Sequence, residues 1–185
     1  MTRGPSGAPG ESAASEGARA RELIARLGLV AHPERGYYVE TYRSPLAVEG
    51  AAGAALPHGA PRAASTAIYF LVTRAQPTTF LHRLRSDEVF HLYEGGPLDV
   101  LLLREGGAGE VARLGLDVAA GERPQLVIPP GTWFAIELAP EAAHCLLGCT
   151  VAPGFDFADF ELAQGPELGT RFPAHAARIA RMTRP

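Results

Sequence analysis

The stretch FLHRLRSDEVFHLYEGG, residues 80–96, holds the densest group of chemically capable side chains. His82, Glu88, His91 and Tyr93 fall close together in it. Imidazole and carboxylate side chains can share a divalent metal, or they can pass protons to and from a bound molecule. The polar corner Arg85-Ser86-Asp87 separates His82 from the others, so two adjoining strands can bring them together. Phe80 and Leu84 share the strand face of His82, which places the imidazole inward. A buried Glu88 needs a partner, and an inward His82 can supply it. Strict alternation sets His91 on the face opposite Glu88, and only a bulge brings it inward; Tyr93 shares the face of His91. If a metal is bound, its expected ligands are His82, Glu88 and His91.

Two further segments can supply recognition. In GYYVETYRS, alternation puts Tyr38, Glu40 and Tyr42 on one strand face. This is either a solvated edge strand or a cover for a pocket mouth, with Arg43 meeting an anionic ligand. Trp133 and Phe134 follow Pro129-Pro130-Gly131 and offer an apolar or stacking wall. Asp156 and Asp159, in GFDFADFEL, read as turn and capping residues. Cys145 and Cys149 lie four apart on a strand, roughly 13 Å, too far for a disulfide or a zinc pair. They read as reduced, buried small residues, which fits a cytoplasmic location.

The elements that position these groups are strands. Gly 21 and Pro 16 in 185 residues suit a fold with many turns rather than a long-helix bundle. TAIYFLV, TTFLHRL, EVFHLYE, LDVLLLR, EVARLGL, TWFAIEL and HCLLGCTV recur with turn signals between them, which predicts an antiparallel sandwich or barrel. ARARELIARL (18–27) has helical spacing and a stop at Gly28; PAHAARIARMTR (173–184) reads as a short basic amphipathic helix with a solvated basic face. Residues 46–64 read as a loop. The length suits one domain, 18–185, after a disordered tail at 1–17 that lacks the apolar stretch of a secretory signal. Seventeen basic against twenty acidic residues, a formal charge of −3, argue against nucleic acid as a partner. No apolar run reaches the roughly 20 residues of a membrane span. There is no nucleotide-binding glycine loop, Ser-His-Asp order or CxxC pair.

The 80–96 stretch resembles the first motif of the cupin superfamily. His82, Glu88 and Gly95 match, Leu84 replaces the motif's second His, and Gln76 its opening Gly. The second motif is present in outline at Gly121, Pro129 and Gly131, with Phe134 in place of its His and Leu138 in place of its Asn. HPERGYYVETYRS, STAIYFLV, FLHRLRSDEVFHLYEGGPL, VIPPGTWF and LLGCTVAPGFDFADFEL together resemble the DUF985 (cupin type 5) family across residues 20–183. That resemblance implies a mainly β fold: a double-stranded β-helix, or jelly-roll barrel, with short helices at both ends and a small-molecule pocket inside. ERGYYVETYR is also similar to a segment of the sugar-nucleotide 3,5-epimerases, metal-free cupins that use a His as base and a Tyr as acid.

The expectation is therefore a pocket with His82, Glu88 and Tyr93 as catalytic residues and Tyr38, Glu40, Arg43, His91, Trp133 and Phe134 as ligand-binding ones. Two functions fit. One is an isomerase- or epimerase-like enzyme, or one dependent on Mn, Fe, Ni or Zn, acting on a carbohydrate-like or carboxylate substrate. The other is a non-catalytic ligand-binding or storage cupin. The exposed edges of such a sandwich predict a homodimer.

Overall fold

A computed structural model describes residues 17–50, 56–106 and 109–184. The expected tail lies almost wholly outside the described residues.

Helix α1 (Ala18–Leu27) ends where Gly28 adopts a left-handed conformation and its N–H caps the Ile24 carbonyl. The strands follow as β1 (Val30–Ala31), β2 (Tyr37–Arg43), β3 (Ala47–Val48), β4 (Arg62–Ala63), β5 (Thr66–Thr73), β6 (His82–Arg83), β7 (Asp87–Gly95), β8 (Leu98–Leu103), β9 (Gly109–Leu114), β10 (Gln125–Ile128), β11 (Trp133–Leu138), β12 (His144–Ala152) and β13 (Glu161–Leu162). Helices α2 (Gly165–Arg171) and α3 (Ala176–Arg181) close the described chain. One antiparallel sheet has the order β1-β2-β5-β12-β7-β10 and the other β13-β6-β11-β8-β9. The small β3–β4 pair lies within the segment expected to be a loop, of which residues 51–55 are outside the described residues.

The alternation legible in the strands decides what each sheet face buries. Phe70, Phe90, Leu147 and Cys149 of the first sheet meet Val100, Leu102, Phe134 and Ile136 of the second to form the central core. The opposite faces carry two further layers. Helix α1 covers Tyr37, Leu71 and Leu146 of the first sheet. Leu168, Phe172, Ile179 and Met182 of the C-terminal segment cover Leu101, Leu103, Trp133 and Ala135 of the second.

Two expectations change. The run TTFLHRL forms only the two-residue β6; before it, Thr79 still continues the sheet through backbone and hydroxyl bonds to Ile136. Helix α2 was not expected, and the helix expected at 173–184 opens instead with a 3₁₀ turn, Pro173–His175, and is α-helical only over Ala176–Arg181. Its basic face is not merely solvated. Arg178 pairs with Asp99 and Glu137, and Arg181 with Glu137, so the helix is pinned to the outer face of the second sheet. No helix among the described residues is long and apolar enough to cross a membrane.

Candidate active site

A cavity of about 890 Å³ opens between the two sheets. Buried His82, Glu34, Glu88 and Phe134 form its floor, while exposed Glu40, Arg43, Asp156 and Phe157 stand at its mouth. Aromatic rings make much of the wall: Tyr38, Phe70 and Phe90 from the first sheet, and Phe155, Phe157 and Phe160 from the segment after β12.

Phe134 pairs directly with His82 across β11 and β6, and their rings lie 4.1 Å apart. Both face inward, as the alternation requires. The imidazole is hydrogen-bonded at Nδ1 and ion-paired at Nε2. Nδ1 lies 2.8 Å from the Phe80 carbonyl and so carries a proton, and Nε2 lies 2.9 Å from Glu34 Oε2. Burial alone pushes this imidazole down. The Glu34 carboxylate, Glu88 and the Phe80 carbonyl more than offset that, so its pKa stands above the ordinary value.

Glu34 is the residue that sequence reasoning missed, although HPERG was part of the family likeness. It sits in the turn between β1 and β2, where Arg35 and Gly36 both take positive φ. Gly36 is required there: a Cβ would come within 2.9 Å of the Leu71 carbonyl oxygen and of the Phe70 ring. The turn directs Glu34 into the cavity while its backbone bonds His32 and Phe80. His32 lies in the same turn. Its Nδ1 accepts the Glu34 N–H, which leaves the proton of the neutral ring on Nε2; burial holds its pKa down. Burial also pushes Glu34 up, but the positive His82 against it, with His32 beside it, outweighs this, and Glu34 ends below the usual carboxylate range.

Glu88 goes the other way. Burial pushes it up to about 8; His82 opposes this, and the Glu34 charge adds to it. One of its oxygens has no hydrogen-bond partner within the described residues. The Cys149 thiol beside it, itself raised by burial, stays protonated and donates to it. Cys145 and Cys149 are both free and buried, as expected from their spacing.

At the mouth, β2 carries a bulge between Glu40 and Tyr42, where Thr41 is the extra residue. The bulge inverts the alternation. Tyr38, Glu40 and Arg43 face the cavity, whereas Tyr42, expected on the face of Glu40, is exposed outside it. Arg43 grips Glu40 through two bonds of 3.0 and 2.6 Å and donates to the Phe155 carbonyl. Asp156 caps the Ala158 N–H, as a turn residue should, and also lines the cavity. Asp159 forms a buried ion pair with Arg62, which ties the aromatic segment to β4.

Three expected site residues are elsewhere. His91 and Tyr93 lie on the opposite face of β7 from Glu88, because no bulge separates Glu88 from His91. His91 bonds Gln125 and contacts Thr150, and Tyr93, 54% exposed, lies across Gly148 and meets Tyr69 edge-on. Trp133 belongs to the outer apolar layer with Arg83 4.5 Å above its ring, since its neighbour Phe134 takes the inward position.

The sequence matches the Cupin superfamily (DUF985) description over residues 21–163. The chain belongs to the DUF985 cupin family. An uncharacterized protein of Saccharomyces cerevisiae is 30% identical to this cupin over 154 residues, 80% of this chain and 76% of that one. A hypothetical protein from Leishmania major has a similar structure, with a TM-score of 0.79 and 35% identity over 90% of this chain and 99% of that one. The protein SO0799 from Shewanella oneidensis is comparable, at 0.77 and 35% over 89% and 96%.

The donors in this cupin do not fit a divalent metal. Leu84 and Phe134, which stand where the cupin motifs carry histidines, line the cavity as apolar wall. Both nitrogens of His82 are engaged, and His91 is on the far face of β7. Among the described residues no three His, Cys, Asp or Glu side chains gather as a ligand set. The arrangement that does exist is two buried carboxyls in one cavity with an imidazole, Glu34 held below the usual range and Glu88 pushed up to about 8.

Proposed function

We propose that this cupin is an acid–base enzyme of the isomerase or epimerase type, acting on a small carbonyl compound. The observation that carries the reading is the opposed pull on two carboxyls in one cavity: Glu34 is held below the usual range by His82, and Glu88 is raised to about 8 by burial. Environments that split two titratable groups in this way assign a base and an acid. The Glu34 carboxylate takes the proton from a carbon next to the carbonyl. The Glu88 carboxyl gives its proton to the carbonyl oxygen, producing an enol. Return of the proton from Glu34 to carbon, and of the enol proton to Glu88, completes the exchange. His82, with both nitrogens engaged, holds Glu34 ionised rather than meeting the substrate. Tyr38, inside the cavity where Tyr93 is not, is the tyrosine available to bind the oxygen.

A second copy of the chain is the partner this reading includes. Among the described residues β1 pairs only with Tyr37 and Tyr38, so the outer edge of the rest of β2 has no strand beside it.

The test is solvent deuterium exchange into a panel of keto-sugars, keto-acids and hydroxy-ketones with the purified full chain. Exchange into at least one member, falling about 10²–10⁴-fold in Glu88→Gln and in Glu34→Gln, is expected. Saturable binding without exchange by any member would make the cavity a binding site alone.

A further inference from the structure

The positive charges facing the cavity already have anions against them. His82 stands 2.9 Å from Glu34. Arg43 is held by both oxygens of Glu40, and the Asp156 carboxylate adds to its negative surroundings. His32 uses its Nδ1 as an acceptor, the geometry of a neutral ring. Against these stand four lining carboxyls: Glu34, Glu40, Glu88 and Asp156. An incoming phosphate or carboxylate would lose its hydration and find, among the described residues, no unpaired cation, only carboxyls. The remaining wall is apolar and largely aromatic, and Phe157 stands 47% exposed at the mouth. Such a wall favours a flat apolar group.

We propose that the cavity takes an uncharged hydroxy-carbonyl compound bearing a planar apolar group, and that phosphorylated or nucleotide-linked sugars are excluded. The carbonyl oxygen meets the unpartnered Glu88 oxygen at the floor, and the planar group lies against Phe155, Phe157 and Phe160 near the mouth. Only the position of the carbonyl rests on the acid–base reading. The exclusion of anions does not depend on it. It replaces the expectation that Arg43 receives an anion, because Glu40 occupies that role.

Ligand-observed magnetic resonance on the full chain tests this with matched probes. 2-Hydroxyacetophenone is compared with mandelate, and dihydroxyacetone with its phosphate. In each pair the uncharged member is expected to bind at least tenfold more tightly. Glu40→Gln, which frees Arg43, should raise the affinity of the anion relative to its uncharged partner about tenfold; Asp156→Asn should act in the same direction. Equal or tighter binding of the anions by the unaltered protein would overturn the proposal, as would no binding of either uncharged probe at millimolar concentration. Binding of the uncharged probes with no deuterium exchange into any member of the panel would uphold this inference and defeat the acid–base reading.

Discussion

Nε2 of His82 lies 2.9 Å from Oε2 of Glu34, and both side chains are almost wholly withdrawn from water. The two residues come from different elements, a turn before β2 and the short strand β6. Their contact joins the start of the chain to the floor of the cavity. Removing one member leaves the other charge buried without its partner, which costs about 3–5 kcal/mol. His82→Leu is therefore expected to lower stability by that order in urea denaturation. Glu34→Gln added to it should restore a good part, because the stranded charge is then gone. A loss below about 1 kcal/mol, or no recovery in the double variant, would show that the two groups are not a buried charge pair.

Glu88 makes stability depend on pH in a direction opposite to that of an ordinary carboxylate. Its folded pKa, pushed up to about 8, is far above that of the unfolded chain. Below the unfolded value both states carry the proton and nothing is lost. As pH rises from the ordinary carboxylate range toward 8, the unfolded chain releases its proton while the folded chain keeps it. Stability then falls by up to roughly 1.4 kcal/mol per pH unit from this one group, and levels off above about 8. His82, raised in the fold, adds a fall above the ordinary imidazole range. Glu34, lowered in the fold, stabilises above the ordinary carboxylate range and loses this contribution as pH falls. Glu88→Gln should flatten the stretch between the carboxylate and imidazole ranges by up to one proton. Denaturation midpoints measured across pH 4 to 9 give the slope directly, and an unchanged slope in the variant would contradict the assignment.

Gly36 fixes where Glu34 stands. Gly36→Ala puts a Cβ against the Leu71 carbonyl and the Phe70 ring at a positive φ. The backbone strain alone is on the order of 1–3 kcal/mol. The variant should lose both stability and deuterium exchange, whereas Gly59→Ala, with the same backbone strain at positive φ but open space around it, should lose less stability and keep its exchange. Equal effects at the two positions would remove the role given to this turn.

How far the sequence led can be read from individual residues. The period-two pattern was enough for β5, β7, β8, β11 and β12, and the cupin resemblance placed His82, Glu88 and Phe134 inside. Parity also held: Glu88 and His91, or Phe134 and Trp133, are an odd number of residues apart and so face opposite ways. Expecting His91, Tyr93 and Trp133 in the pocket went against that rule. Other features have no periodic signal. The bulge at Thr41 reverses Tyr42 and Arg43, and nothing in YYVETYR marks it. His32 and Glu34 reach the cavity from a turn, and Phe155, Phe157 and Phe160 from a 3₁₀ segment, where side-chain direction depends on individual dihedral angles. The Glu-Arg-Gly of that turn, with glycine where left-handed backbone is needed, was the one clue to Glu34.

The split between the two carboxyls is the claim on which the functional reading depends. It can be measured directly by following side-chain carboxyl carbons in protein labelled at glutamate, with Glu34→Gln and Glu88→Gln supplying the assignments. The account predicts one carboxyl still protonated at pH 7, titrating near 8 and absent from the Glu88 variant, and another ionised below the usual range and absent from the Glu34 variant. Two carboxyls titrating together in the ordinary range would contradict it.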